Sequence, residues 1–396
     1  MHLLTFTDGY LIKKGALHTA TEIVGQPKLW HCTAEHFFNA ANDIEIFLNT
    51  AYASIDNIIL TGAGTSAFIG LSLRGCFFRN TKIITQAIAT TDIVSHPQDY
   101  FNQHQTPLII SFARSGNSPE SCAVLELADQ FSKKCFHLII TCDKDGALAQ
   151  CISSNPTYVF VLPEAANDKS LAMTGSYSSM LLTGLMMAYI NQKQKIKEQL
   201  ELITQAAENI LLNDASTLKD IAEKDFKRAV FLGSGSLFGT ATEAALKLQE
   251  LTDGKIICKE DTYLGLRHGP KAVINEDTLV VYFFSNNEYV HQYEEDLTNA
   301  MNEGNNAMLC VGISEGHKAI NNVDTQISFG ITAEKIDEDF LPVCAILAGQ
   351  LLGFYKSLQL GLMPDAPSVN GSISRVVKGV HIYPAEVHKS MMNFEG

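Results

Sequence analysis

Short apolar runs bounded by turn residues recur along the chain at positions 57–60, 108–112, 137–141 and 157–162, and again at 229–232, 279–284, 307–311 and 326–331. Each run precedes a loop and then a helical pattern, which predicts repeated strand–turn–helix units. Strands apolar on both faces belong in parallel sheets covered by helices on each side. The two sets also repeat: Gly62 and Gly233 stand 171 positions apart, and so do Leu138 and Leu309. The expected fold class is therefore α/β: two tandem domains, each a parallel β-sheet sandwiched between helices in a three-layer, flavodoxin/Rossmann-like arrangement.

The pattern divides the chain into an N-terminal helical segment (1–50), a first α/β domain (51–191), a connecting helix (192–224), and a second α/β domain with a C-terminal tail (225–396). The connection is read as one amphipathic helix because Ile196, Leu200, Ile203, Ala207 and Ile210 recur at helical spacing among Lys, Glu and Gln.

With 396 residues, 46% hydrophobic and 18% charged, the chain has ample material for a large core. Its net charge of -14 would be repelled by nucleic-acid phosphate and by anionic membranes, so neither is expected as a partner. The longest apolar stretch, 341–355, is interrupted by Pro342, Gly349, Gln350 and Gly353 and is shorter than the roughly 20 residues of a membrane helix. The first residues lack the pattern of a secretory signal, and a cytoplasmic location is expected. The nine cysteines form no C-x-x-C pair and are read as reduced core thiols.

Candidate chemistry lies in the loops after the strands. In TGAGTSAFIG, Gly62 and Gly64 allow close backbone approach, and Thr65 and Ser66 open the next helix, whose amino end attracts anions. A dinucleotide fingerprint is not completed, because residues 82–86 supply no acidic partner for a ribose, and no P-loop sequence occurs. In SFARSGNSPES, Arg114, Ser115, Asn117 and Ser118 precede a helix that Pro119 would begin; hydroxyls, turn amides and a guanidinium suit a phosphate monoester. Plain helix capping by Ser115 or Ser118 is the alternative reading. The equivalent loop of the second half, FFSNNEYVHQY, has lost this arrangement, leaving one phosphate cradle per chain.

In GSGSLFGTATEAALKLQELTDGK, Ala241, Ala244, Ala245, Leu248 and Leu251 form an apolar stripe, and Glu243, Lys247 and Glu250 line a second face. A solvated Glu243–Lys247 pair competes with an acid/base site. Downstream, Arg267, His268 and Lys271 surround a Gly-Pro turn, where a histidine can act near neutral pH. The cluster His31, Cys32, Glu35 and His36 fits no zinc motif, and the tail pair His381 and His388 has little support, so no metal and no cofactor are expected.

Together TEIVGQPKLW, TGAGTSAFIG, SFARSGNSPES, LAMTGSYSSM, GSGSLFGTATEAALKLQELTDGK, RHGPKAVI and PDAPSVNGSISRVVKGVHIYP resemble the sugar isomerase (SIS) domain family, covered twice, and within it the galactosamine-6-phosphate deaminase/isomerases. The resemblance implies an amino-sugar 6-phosphate substrate held by Thr65, Ser66, Ser115 and Ser118 beside the Gly64 turn, with Thr174 in a further loop over it. Arg114 stands at a glutamine position of the related glucosamine-6-phosphate synthase, and Ala113 at a serine. The resemblance further implies Glu250 as the C1–C2 proton carrier, His268 as the ring-opening histidine, and Glu243 and Lys247 as supporting groups. The synthase's C-terminal lysine has no clear counterpart; Arg375 and Lys378 lie nearby.

The synthase's glutamine-hydrolysing domain is not seen, which implies ammonia release rather than capture. The expected function is conversion of D-galactosamine 6-phosphate to D-tagatose 6-phosphate and ammonia. Alternatives are an aldose/ketose isomerase of a neutral sugar 6-phosphate, a glucosamine-6-phosphate deaminase, or a sugar-phosphate sensor. Relatives commonly form dimers or tetramers, implying a homodimer or homotetramer, with supply of His268 by the same chain or by a neighbouring one left open.

Overall fold

The computed structural model describes residues 2–301, 306–316, 318–330, 334–377 and 379–385. A hairpin of β1 (His2–Leu3) and β2 (Phe6–Thr7) leads into α1 (Asp8–Lys13), α2 (Leu17–Val24) and the long α3 (Gln26–Tyr52). The first unit follows as β3 (Asn57–Thr61), α4 (Thr65–Thr81), β4 (Ile84–Ala87), α5 (Thr90–Ser95), β5 (Pro107–Ala113), α6 (Pro119–Phe131), β6 (Phe136–Thr141), β7 (Thr157–Val161) and α7 (Gly175–Ala188). Helices α8 (Lys193–Asn209) and α9 (Ala215–Ala222) connect the units. The second unit is β8 (Arg228–Leu232), α10 (Leu237–Leu251), β9 (Ile257–Asp261), α11 (Tyr263–Leu266), β10 (Thr278–Phe283), α12 (Glu288–Met301), β11 (Leu309–Ser314), β12 (Thr325–Ser328) and α13 (Leu341–Gln359).

Both five-stranded sheets are parallel and share one order, β4-β3-β5-β6-β7 and β9-β8-β10-β11-β12. The central strands are buried along their whole length, as their apolar runs require. In this order the sheet grows from β3 to one side with β4 and to the other with β5, and this switch opens a crevice at the carboxyl ends of β3 and β5 where ligands of such sheets bind. The two glycine-rich loops of the first unit meet there.

Register supports the repeat and corrects one detail. Asn57 faces Pro107 and Arg228 faces Thr278, so these strands keep the 171-residue offset. Leu108, however, faces Phe136, while Leu279 faces Leu309, so Leu309 matches Phe136 rather than Leu138. The second unit carries two more residues between these strands, and an even shift leaves the buried faces unchanged.

Three further expectations are corrected. The connection is not one continuous helix: a π-type turn at Ile210–Asp214 separates α8 from α9. Edge strands β4 and β9 escaped the apolar pattern because edges are half exposed and carry polar residues. Helix α13 runs longer than its apolar stretch suggested, and by length and composition it could cross a membrane, yet 94% of it is buried as a central helix of the fold.

The units are joined where α4 packs on α10, with α7 and α13 flanking them. Gly239 on α10 permits this approach, since a Cβ there would meet Ser72 Oγ at 2.2 Å and the Phe68 carbonyl at 2.7 Å. Gly239→Val should therefore cost about 1–3 kcal/mol of stability by overpacking a seam whose backbone cannot retreat. Denaturant unfolding with intrinsic fluorescence measures this; an unchanged midpoint would show that the seam is loose.

Candidate active site

At the head of α4, Gly64 adopts φ +54, a conformation that favours glycine, and so turns the chain from β3 into the helix. Thr65 and Ser66 begin α4 and are buried. After β5, Gly116 (φ +64) turns the second loop so that Ser118 precedes Pro119 at the head of α6. Two helix amino ends thus converge on one crevice, each offering unpaired N–H groups and a partial positive charge.

The crevice contains two adjoining cavities. The smaller, about 110 Å³, is lined by Ser66, Arg114, Ser115, Ser118, Ser121 and Arg375 among others. The larger, about 590 Å³, is walled by Gly64, Thr65, Arg114, Lys247, Glu250 and the segment following the last helix. Ala63, Arg114, Met173, Arg375 and Val377 line both, so one connected site has a cationic, hydroxyl-rich end and a carboxylate-bearing end.

The carboxylate end is built on α10, whose 3.6-residue period places Glu243, Lys247 and Glu250 on one face. Lys247 is fully buried; its Nζ contacts the Glu250 carboxylate, lies 3.0 Å from Thr65 Oγ1 and 3.4 Å from Glu243 Oε1. A solvated surface pair is thereby excluded. Glu243 is also fully buried, and its Oε2 has no hydrogen-bond partner. Burial, opposed by Lys247 and reinforced by Glu250, pushes the Glu243 carboxyl up to about 8. Near neutrality Glu243 therefore holds its proton, leaving the Lys247 ammonium to pair with Glu250. Of the two acids in this cluster, Glu250 is the one that lines the cavity.

Arg114 is buried and braces the crevice: Nη1 donates to the Leu171 carbonyl (3.0 Å) and Nη2 to the Arg375 carbonyl (2.6 Å). Residues 169 and 170 are fixed in turn by Glu22, whose Oε1 accepts from Lys169 N (2.5 Å) and Ser170 N (3.2 Å), and Leu171 N donates to the Asp365 carbonyl (3.0 Å). Burial and the neighbouring Asp168 carboxylate raise Glu22 to about 7.

Not every anticipated residue reaches the site. Thr174 is fully buried and donates through N (2.8 Å) and Oγ1 (3.3 Å) to Asp168, which caps α7; its neighbour Met173 lines the cavities instead. Asn117 is exposed and its Oδ1 accepts from Ala147 N at 2.9 Å, so it shapes the loop rather than lining either cavity. His268 is exposed and lies outside both cavities of its own chain. Its neighbours Arg267 and Lys271 are docked on the α12 carbonyls of Asp296 and Ala300. Lys378 and His388 lie outside the described residues. Sequence reasoning missed Ser121, whose Oγ lies 2.5 Å from Ser118 Oγ; a serine one turn into a helix carries no signal of its own.

In the second unit the equivalent cradle is filled by carboxylates of the same chain. Ser285 Oγ donates to Glu338 Oε1 (2.5 Å), Asn287 Nδ2 to Glu338 Oε2 (3.2 Å), and Asn286 Nδ2 to Glu315 Oε2 (2.6 Å). A bound phosphate would meet like charge there.

The histidines of HCTAEH diverge, His31 toward Glu201 and His36 onto the Phe160 ring. Among the described residues Asp129, Cys135 and His137 lie close enough to share a metal. Asp129 is already satisfied by His137 (2.8 Å), Asn155 (2.9 Å), Ser153 (2.6 Å) and Cys135 (3.2 Å), which accounts for the cluster as a hydrogen-bonded node.

Residues 51–190 match the model of the SIS domain family. Over 94% of this chain and 94% of the relative, the sequence is 38% identical to the D-galactosamine-6-phosphate deaminase AgaS of Shewanella sp. (strain ANA-3). Among solved structures, a Clostridium novyi chain assigned to the tagatose-6-phosphate ketose/aldose isomerases is 40% identical with a TM-score of 0.93, covering 97% of this chain and 100% of that one. The tagatose-6-phosphate ketose/aldose isomerase of Escherichia coli is 34% identical with a TM-score of 0.83, covering 93% and 97%.

Because Glu243 carries a proton in the folded chain between pH 4.5 and about 8 that the unfolded chain releases, stability falls as pH rises through that window. Glu243→Gln, which keeps the shape and cannot ionise, should flatten this fall. Denaturation midpoints at pH 6 and pH 8.5 test it: the wild-type loss should exceed the variant's, and equal losses would refute the assignment.

Proposed function

Since the chain belongs to the SIS domain family, and to the AgaS group within it, we propose that it converts D-galactosamine 6-phosphate to D-tagatose 6-phosphate and ammonia. The observation that carries the reading is Glu250, held by Lys247 on the wall of a cavity whose other end is an anion cradle. A substrate fixed by its phosphate at the helix amino ends extends its sugar carbons toward that carboxylate.

In the opened aldehyde form Glu250 removes the C2 proton, and charge builds on the carbonyl oxygen at C1, where the Lys247 ammonium stabilises it. The substrate's ammonium group passes a proton to O1 and Glu250 returns its proton to C1, leaving a C1 hydroxyl and a protonated imine at C2. Water adds there and the C2–N bond breaks, giving the ketose 6-phosphate and ammonia. Glu243, kept protonated, supports Lys247 without competing for the substrate proton. His268 assists ring opening from a neighbouring copy, in a homo-oligomeric cytoplasmic enzyme. Phosphate contacts are assigned to Gly64, Thr65, Ser66, Arg114, Ser115 and Ser118.

A second reading, isomerisation of a neutral sugar 6-phosphate without ammonia release, is favoured by the description of the Escherichia coli structure. Parallel measurement of ammonia and ketose from galactosamine, glucosamine and tagatose 6-phosphates separates the two. Glu250→Gln should lower turnover by at least about 10²-fold while substrate affinity changes little; deamination at the wild-type rate would remove Glu250 from the mechanism. Glu250→Gln and His268→Ala should each be inactive alone and regain activity when co-assembled, because mixed oligomers contain sites with both groups intact. Absence of recovery in verified mixed oligomers would refute supply of His268 by a neighbouring copy, and wild-type activity of His268→Ala alone would place His268 outside the reaction.

A further inference from the structure

We infer that Arg375, on the segment following the last helix, is a direct ligand of the substrate's dianion and completes the cradle as its second guanidinium. This rests on the proposed phosphate-monoester reading of the site and adds to it a residue from a distant part of the chain.

Arg375 lines both cavities, beside Ser66, Ser115 and Ser118 in the smaller and beside Lys247 and Glu250 in the larger. Its side chain is aimed by Nε donating to the Asp168 carbonyl (2.9 Å) and by Nη2 donating to that carbonyl and to Asn167 Oδ1 (2.6 Å each). These bonds leave Nη1 uncommitted among the described residues. The backbone is pinned at the same place, because the Arg375 carbonyl accepts from Arg114 Nη2 at 2.6 Å.

Charge gives the second line of argument. Arg114 and Arg375 stand side by side, and among the described residues neither forms an ion pair with a carboxylate; their bonds go to carbonyl oxygens and one amide. Burial, and after it repulsion from Arg375, hold the Arg114 guanidinium below its ordinary range, with Asp168 and Glu250 offsetting part of this. Two guanidinium groups facing one small cavity lined with serine hydroxyls match a group that carries close to two negative charges and three acceptor oxygens near neutral pH. A single cation or a neutral sugar hydroxyl would leave that repulsion in place.

The test is isothermal titration of the full-length wild type, Arg375→Ala and Arg375→Lys with inorganic phosphate, together with steady-state kinetics on galactosamine 6-phosphate. Arg375 is exposed, and circular dichroism confirms that each variant is folded. Arg375→Ala should weaken phosphate binding by about 10- to 100-fold and raise KM similarly, with kcat within about threefold. Arg375→Lys, which keeps the charge but cannot span the Asp168 and Asn167 oxygens, should recover a large part of the affinity. Phosphate affinity of Arg375→Ala within twofold of wild type overturns the inference. So do equal losses in both variants, since these indicate a tether rather than a ligand. A wild type that binds phosphate but releases no ammonia refutes the deaminase reading and leaves the Arg375 result interpretable.

Discussion

A buried ammonium group organises this molecule. Lys247 is almost wholly buried, and withdrawing its charge from water is costly unless carboxylates and hydroxyls replace the lost hydration. Glu243 and Glu250 come from its own helix, but Thr65 comes from the first residue of α4 in the other unit. The cluster is therefore completed only when α4 and α10 pack at the spacing that Gly239 permits. Stability and site geometry meet at this seam: the contact that joins the two units also sets the Glu250 carboxyl on the cavity wall.

The repeat explains both the similarity of the units and their division of labour. Identical strand order gives each sheet a crevice at the same place. In the first unit the loops leave that crevice open to an anion. In the second, Glu338 and Glu315 accept hydrogen bonds from Ser285, Asn286 and Asn287, so the chain's own carboxylates occupy the equivalent positions. The helix following the first strand took the opposite course. Position 72 on α4 is a serine, whereas its counterpart 171 residues on is Glu243. On the proposed function the first unit holds the phosphate and the second supplies the proton carrier, so both are needed.

A second set of long-range bonds shapes the anion end. Glu22 on α2 holds residues 169 and 170, and the Leu171 carbonyl anchors Arg114. Asp168 caps α7 with its carboxylate and aims Arg375 with its carbonyl. Asp365 ties the segment after α13 back to α2 through Thr19. The cradle is thus supported from four distant parts of the chain, and loosening any of them would move the guanidinium groups rather than remove them.

What the sequence alone determined is what depends on neighbours along the chain. Continuous apolar runs located the central strands, the 171-residue repeat gave the two-unit plan, glycine-rich turns before helices marked the candidate loops, and helical periodicity placed Glu243, Lys247 and Glu250 on one face. What only the tertiary structure decided depends on partners far away in the chain. Thr174 carries the same hydroxyl as Thr65, but Asp168 claims it. Asn117 has the chemistry of a ligand, but its loop turns it to Ala147. Arg375 sits in a segment with no periodic pattern and gains its place from the Asp168 and Arg114 backbone and side-chain bonds. Edge strands β4 and β9 lack the apolar signature because half of their surface faces water. Side-chain type and local spacing name the candidates; which of them share a cavity is set by packing between elements that the sequence separates by more than a hundred residues.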